Sequence, residues 1–260
     1  MTAFEGQVEI RGTKLAYDDA GQGALTVYAH GMMQSRRNED RLGLFDWTPL
    51  VAAGRLVRYD ARGHGLSGGR PDEGDYTWAN LAGDLLAVAD HFGSGLPVNA
   101  VGASMGCGTL LHAAVTAPDR FNKLALVIPP TAWETRAAQG ATYRGGADLV
   151  ESKGKQALLE LMGGAATSAI FADSSLTMDL DVTEELLPSV LRGAGSSNLP
   201  EPEAIAKLEH QVLVLAWDAD PIHPLSTAER LAGLLPNAEL HVARTREEIA
   251  TWGDRIAAFL

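Results

Sequence analysis

A single cysteine, Cys107, stands among 260 residues, which excludes an internal disulfide and any metal site built from several cysteines. Basic residues are scarce too. Twenty-one Lys and Arg face 33 Asp and Glu, for a formal charge of −12, and this argues against nucleic acid and anionic membrane surfaces as partners. No apolar run approaches the length that crosses a bilayer. The opening Met1-Thr2-Ala3-Phe4-Glu5-Gly6 has neither the basic start nor the apolar stretch of a secretion signal, so the expected location is the cytoplasm. What remains is 46% apolar and 21% charged, a globular composition long enough to bury a substantial core.

The most informative stretch runs from Val98 to Gly108. Leu96 to Val101 is a short apolar run bounded by Gly95, which predicts a buried strand. Beyond it, Leu110, Leu111, Ala114 and Val115 follow helical spacing until Pro118. Between strand and helix lies Gly102-x-Ser104-x-Gly106, the pattern of a sharp turn that pushes a serine hydroxyl out of the sheet. The helix start beneath Ser104 favours negative charge developing beside it. A glycine-rich turn of this kind also serves as a phosphate cradle or a plain structural turn, and the motif alone does not separate these. Cys107, one residue beyond the turn glycine, suits either a small buried side chain or a reactive thiol.

Elsewhere strands and helices alternate. Gln7 to Ile10 and Lys14 to Tyr17 flank Arg11-Gly12-Thr13 and predict a hairpin. Ala24 to Ala29 predicts a strand entering His30-Gly31-Met32-Met33, followed by a charged stretch, Gln34 to Arg41, and a partly helical Leu42 to Ala53. Arg55 to Tyr59, Leu124 to Ile128, Gln211 to Trp217 and Ala238 to Ala243 predict further strands. Thr77 to Phe92, Ala228 to Leu235 and Arg246 to Leu260 predict amphipathic helices. This rhythm defines an α/β fold, a mostly parallel sheet with helices on both faces. It breaks between 131 and 205, where Ala, Gly and Ser are frequent and helical patches appear at Ala147 to Met162 and Thr183 to Arg192. We expect residues 1–130 and 206–260 to form the core and 131–205 a helical lid over the carboxyl edge of the sheet.

Four motifs in order now coincide: His30-Gly31 after a strand, Asp60-x-Arg62-Gly63-His64-Gly65-x-Ser67, Gly102-x-Ser104-x-Gly106, and Asp218-Ala219-Asp220-Pro221 after a late strand. Together they make the chain resemble the α/β-hydrolase superfamily over nearly its whole length. The resemblance implies Ser104 as nucleophile, Asp220 as the orienting acid, and the backbone N–H groups of Met32 and Met105 as an oxyanion hole. Such preorganised donors are worth on the order of 3 kcal/mol each in the transition state.

The sequence departs from the superfamily at the base. The catalytic histidine of these proteins follows the last strand, but here Leu240-His241-Val242-Ala243 leads into Arg244-Thr245-Arg246-Glu247-Glu248. His241 lies inside that strand, too early in the chain. His223, three residues after Asp220, is the substitute, and it also suits a helix cap or a pocket wall. Substrate-contact candidates are His30, Arg36, Trp133, Arg136, Tyr143 and Trp217: the arginines for a substrate carboxylate, the aromatics for an apolar wall, and His30 either there or shaping the oxyanion segment. Packing and solvated charge are the plainer roles for all six.

Three functions follow. The first is a serine hydrolase acting on an ester, a lactone or an activated carbon–carbon bond of a small, partly apolar molecule, needing neither metal nor organic cofactor. The second takes the missing histidine at face value: the same fold used for a lyase, isomerase or cyclase step. The third is a small-molecule binder without turnover. Fold alone does not choose among them, and the oligomeric state is not encoded in any recognisable motif.

Overall fold

The computed structural model describes residues 3–163, 179–218 and 220–260. Part of the expected insertion and Ala219 of the acid motif lie outside the described residues.

Eight strands form one sheet in the order β1-β2-β4-β3-β5-β6-β7-β8. They are β1 (Phe4–Ile10), β2 (Thr13–Gly21), β3 (Leu25–Ala29), β4 (Arg55–Tyr59), β5 (Val98–Ala103), β6 (Phe121–Val127), β7 (Gln211–Trp217) and β8 (Ala238–Ala243). β1 and β2 make the expected hairpin, closing Ile10 onto Thr13 through Arg11 and Gly12, both at positive φ, as a two-residue turn with right-handed twist requires. β2 runs antiparallel to β4, and every pair from β4 to β8 is parallel. All six residues of β5 are buried, the mark of a strand covered on both faces.

The helices are α1 (Arg36–Leu42), α2 (Thr48–Ala53), α3 (Trp78–Gly93), α4 (Met105–Thr116), α5 (Arg136–Lys153), α6 (Lys155–Gly163), α7 (Leu187–Gly195), α8 (Pro202–Ile205), α9 (Leu225–Leu234), α10 (Arg246–Ala250) and α11 (Trp252–Phe259). One face of the sheet packs through Val27, Ala100, Leu124 and Val214 against Leu85 of α3, Leu110 of α4 and Leu231 of α9. The other packs through Tyr28, Val101, Leu213 and Leu215 against Leu50 of α2 and Trp252 and Ile256 of α11. α5 to α8 lie between β6 and β7, and a separate cluster of Ala147, Val150, Leu158, Leu187 and Leu191 joins α5, α6 and α7 to Met33 and Tyr76. Among the described residues, no helix is long and apolar enough to cross a membrane.

Three elements differ from the sequence reading. The charged stretch Gln34 to Arg41 is helical from Arg36, because Ser35 caps it by accepting from the Asn38 N–H and Arg36 and Glu39 find buried partners. The helical patch from Ala147 starts earlier, at Arg136, and divides at Gly154, which sits at φ 82. The last helix divides at Thr251 into α10 and α11, which lets both Ile249 and Trp252 reach the core.

Candidate active site

The carboxyl ends of β3, β4, β5, β6 and β7 carry the candidate residues, as expected where strand order reverses in an open sheet. Ser104 follows β5 with φ 51 and ψ −110, a conformation that L-residues adopt only under constraint. Its neighbours explain how the constraint is met. A Cβ at Gly102 would stand 2.3 Å from the Gly106 carbonyl oxygen, and one at Gly106 only 2.0 Å from that of Ala29. Strand and helix therefore approach to backbone contact, and Ser104 is forced outward. Strain recurs along this edge at Met33 (φ 63), Ile128 (φ 46) and Trp133 (φ 49).

The structure brings Ser104, His223 and Asp220 together, although 119 residues separate the first two. Ser104 Oγ is 2.8 Å from His223 Nε2, and His223 Nδ1 is 2.8 Å from Asp220 Oδ2. Because a carboxylate only accepts, Nδ1 carries the proton and Nε2 faces the serine hydroxyl as acceptor. Burial opposes ionisation of Asp220, but hydrogen bonds from His223, the Trp217 N–H and the Ile222 N–H outweigh it and hold the carboxyl well below its usual range. Trp217 Nε1 donates to Oδ2 at 2.8 Å and the Ile222 N–H to Oδ1 at 2.8 Å. The Thr131 N–H holds the Ile222 carbonyl at 3.0 Å, fixing the β7–α9 loop to the segment after β6. Trp217 itself is braced, stacked on Trp252 at 5.8 Å and edge-on to His223.

His241 is elsewhere. It pairs with Leu215 in β8, its Nε2 has no hydrogen-bond partner among the described residues, and burial lowers its basicity.

The segment after β3 adjoins the serine: a Cβ at Gly31 would lie 3.6 Å from Ser104 Cβ. Among the described residues nothing accepts from the Met32 N–H, and Met105, first in α4, has no acceptor within its helix. His30 is buried behind this segment. Its Nδ1 donates to the Gly31 carbonyl at 2.7 Å and its Nε2 accepts from the Ala61 N–H at 2.8 Å, so the ring shapes the turn and has no free nitrogen for a substrate. Burial lowers its pKa, in keeping with this neutral tautomer.

Both arginines proposed for a substrate carboxylate are committed elsewhere. Arg36 is 1% exposed and holds Asp60 and Asp18 through bonds of 2.9 to 3.3 Å; Asp18 of β2 and Asp60 just after β4 neutralise it, a pairing no local pattern announces. Arg136 donates to the Ser197 carbonyl at 2.7 Å, to Thr131 Oγ1 at 3.2 Å and to the Ala194 carbonyl, and it lies 4.2 Å over the Trp78 ring. It neutralises the carbonyl end of α7 and ties that helix to α3 and α5. Trp133 donates to the Pro200 carbonyl at 3.1 Å, with Arg230 stacked on its ring. Tyr143 has the Arg136 guanidinium 5.3 Å over its ring and packs against the Ala147–Leu191 cluster; burial raises its hydroxyl pKa and the Arg136 charge opposes this. Cys107 is buried, with its thiol on the Gly102 and Val127 carbonyls, and burial drives its pKa up; it is an inert packing residue. Sequence reasoning missed the bond from Trp217 to Asp220. The signal was its place at the end of β7, three residues before the acid.

The fold and this edge of the sheet define an α/β-hydrolase-type scaffold, and the comparisons agree. The family described as alpha/beta hydrolase fold matches residues 30–252, and the chain belongs to it. The structure is similar to an enol-lactonase from Burkholderia xenovorans, with a TM-score of 0.79 and 21% identity over 98% of this chain and 99% of that one. It is also similar to a hydrolase from Pseudomonas aeruginosa, with a TM-score of 0.80 and 22% identity over 98% and 97%, and to an esterase from Thermogutta terrifontis, with a TM-score of 0.77 and 20% identity over 98% and 96%. Among curated relatives, the dihydrolipoyllysine-residue acetyltransferase component of the acetoin cleaving system of Cupriavidus necator is 29% identical over 229 residues. That match takes in 85% of this chain and 59% of the relative.

Proposed function

We propose that the protein is a serine hydrolase that cleaves an ester or lactone of a small, partly apolar molecule through an acyl-enzyme. The observation that carries this reading is the unbroken chain from Ser104 Oγ to His223 Nε2 and from His223 Nδ1 to Asp220. A serine hydroxyl is a weak nucleophile until a base takes its proton, and that base needs an orienting partner. In the first half-reaction Ser104 Oγ attacks the carbonyl carbon while His223 takes the hydroxyl proton. The imidazolium, stabilised by Asp220, then protonates the leaving alkoxide. Water, deprotonated by the same imidazole, releases the acid and restores Ser104. The N–H groups of Met32 and Met105 meet the oxyanion in both halves, and the helices of 131–205 act as a lid.

A serine-directed fluorophosphonate tests this. Wild type is labelled, Ser104→Ala is not, and His223→Ala loses labelling whereas His241→Ala retains it. Absence of labelling in a protein that turns over p-nitrophenyl acetate refutes the mechanism.

A second reading rests on the acetyltransferase named among the relatives: the same acyl-enzyme passed to a thiol in place of water. Turnover of p-nitrophenyl acetate with dihydrolipoamide present distinguishes them, since transfer accumulates the acetyl thioester and hydrolysis accumulates acetate.

A further inference from the structure

The segment 179–182, far along the chain in the insertion between β6 and β7, is hydrogen-bonded onto the turn that carries Met32. The Asp181 N–H donates to the Met33 carbonyl at 2.8 Å, and the Asp181 carbonyl accepts from the Gly65 N–H at 2.7 Å. One residue of the insertion thereby joins the loops after β3 and β4. Its side chain joins the same turn a second time: Ser35 Oγ donates to the Asp181 carboxylate across 146 positions of sequence, while that hydroxyl oxygen accepts from the Asn38 N–H at 3.1 Å to cap α1. Around it the segment is pinned. Asn38 donates its side-chain amide to the Asp179 carbonyl at 2.9 Å, Lys155 Nζ donates to the Leu180 and Val182 carbonyls, and Leu180 and Val182 are buried beside Met33.

The turn held in this way is strained. Met33 occupies the left-handed region at φ 63, a conformation an L-residue with a long side chain leaves unless the surroundings hold it. Its carbonyl is the acceptor taken by Asp181, and the two residues on either side of Met33 are Met32 and Gln34. A change at Met33 turns the Met32–Met33 peptide and, through the Met32 Cα, shifts the adjoining Gly31–Met32 peptide that carries the Met32 N–H. Resting on the serine-hydrolase reading, we infer that Asp181 is a positioning residue for the oxyanion hole: from the insertion, its carboxylate and N–H hold the Met33–Ser35 turn so that the Met32 N–H points at the carbonyl on Ser104. The donor must already be aimed when charge develops, because a hydrogen bond that has to reorient gives little in the transition state.

The test compares Asp181→Ala, which loses the Ser35 bond, with Asp181→Asn, whose amide oxygen still accepts it, using p-nitrophenyl acetate and an aryl trifluoromethyl ketone. Asp181→Ala should lower kcat about 10- to 100-fold, within the range for a misplaced oxyanion donor. KM should stay within about twofold, ketone affinity should fall in proportion to kcat, and Asp181→Asn should recover most of both. Because the ketone forms a tetrahedral oxyanion on Ser104, its affinity moves only if the hole is disturbed. The inference is overturned if Asp181→Ala keeps kcat, if its loss is all in KM, or if ketone binding is unchanged while kcat falls. Should Asp181→Ala fail to fold, Ser35→Ala removes the same bond together with the α1 cap, and Asp181→Leu removes it alone; both carry the same expectations for kcat and ketone affinity. Failure of wild type to form any adduct with the ketone or the fluorophosphonate instead refutes the serine-hydrolase reading itself.

Discussion

At the scale of single residues, the decisive contacts are those that hold one group for another. The Trp217 N–H is one of the donors that keep Asp220 ionised. A hydrogen bond to a charged acceptor contributes about 1.5–3 kcal/mol. Trp217→Phe keeps an aromatic ring against Trp252 but removes the donor together with part of the indole. It should lower kcat/KM for p-nitrophenyl acetate roughly 10-fold, with a modest fall in the unfolding midpoint from the lost ring atoms, which steady-state kinetics and a thermal melt followed together will check. The neighbouring aromatic stack makes Trp217→Ala a poorer probe, since it opens a larger cavity.

At the scale of elements, the buried arginines hold helices and strands together. Arg136 ends the carbonyl row of α7, which Arg144 also meets through the Gly195 carbonyl at 2.8 Å, and it packs on Trp78 where α3 begins. Removing the guanidinium leaves buried carbonyls unpaired at about 1–3 kcal/mol each. Arg136→Gln should therefore lower the free energy of unfolding in urea by about 2–4 kcal/mol. It should leave KM for neutral and anionic aryl esters in the same ratio as in wild type. A selective rise in KM for the anionic ester would instead return Arg136 to substrate recognition.

At the scale of the whole molecule, a few buried ionisable groups shape the response to pH. Glu39 lies inside the protein with its carboxyl accepting from the Tyr28 hydroxyl at 2.9 Å. Burial raises its pKa from 4.5 to about 8, with the Tyr28 bond and the Arg58 charge offsetting only part. The folded chain thus holds a proton that the unfolded chain releases above 4.5, so stability is full below that value and declines as pH rises toward 8. His64 acts on the other side. Burial lowers its pKa from 6.5 to about 3, so its contribution is present above 6.5 and is lost as pH falls toward 3. Each slope is at most about 1.4 kcal/mol per pH unit. Glu39→Gln, which mimics the protonated carboxyl, should flatten the decline between pH 6.5 and 8 in a series of urea titrations. An unchanged alkaline limb would mean that Glu39 is ionised in the folded protein.

What the sequence alone determined about this protein is whatever depends on neighbours in the chain. Apolar runs of five to seven residues closed by turn signals marked the strands, because a strand buried on both faces admits little else. Gly102-x-Ser104-x-Gly106 marked the turn, because side chains at either glycine would strike backbone. Asp220 and His223 were visible as a pair three residues apart. Only the tertiary structure decided the rest. That His223 faces Ser104 across 119 residues depends on the path of the β7–α9 loop, which Thr131 fixes from the segment after β6. Arg36 and Arg136 read as free cations until Asp18, Asp60 and the end of α7 were folded against them. Asp181 carried no motif at all. The physical reason is the same in each case: a charge or hydrogen-bonding group is defined by the partner that satisfies it, and these partners are distant in sequence.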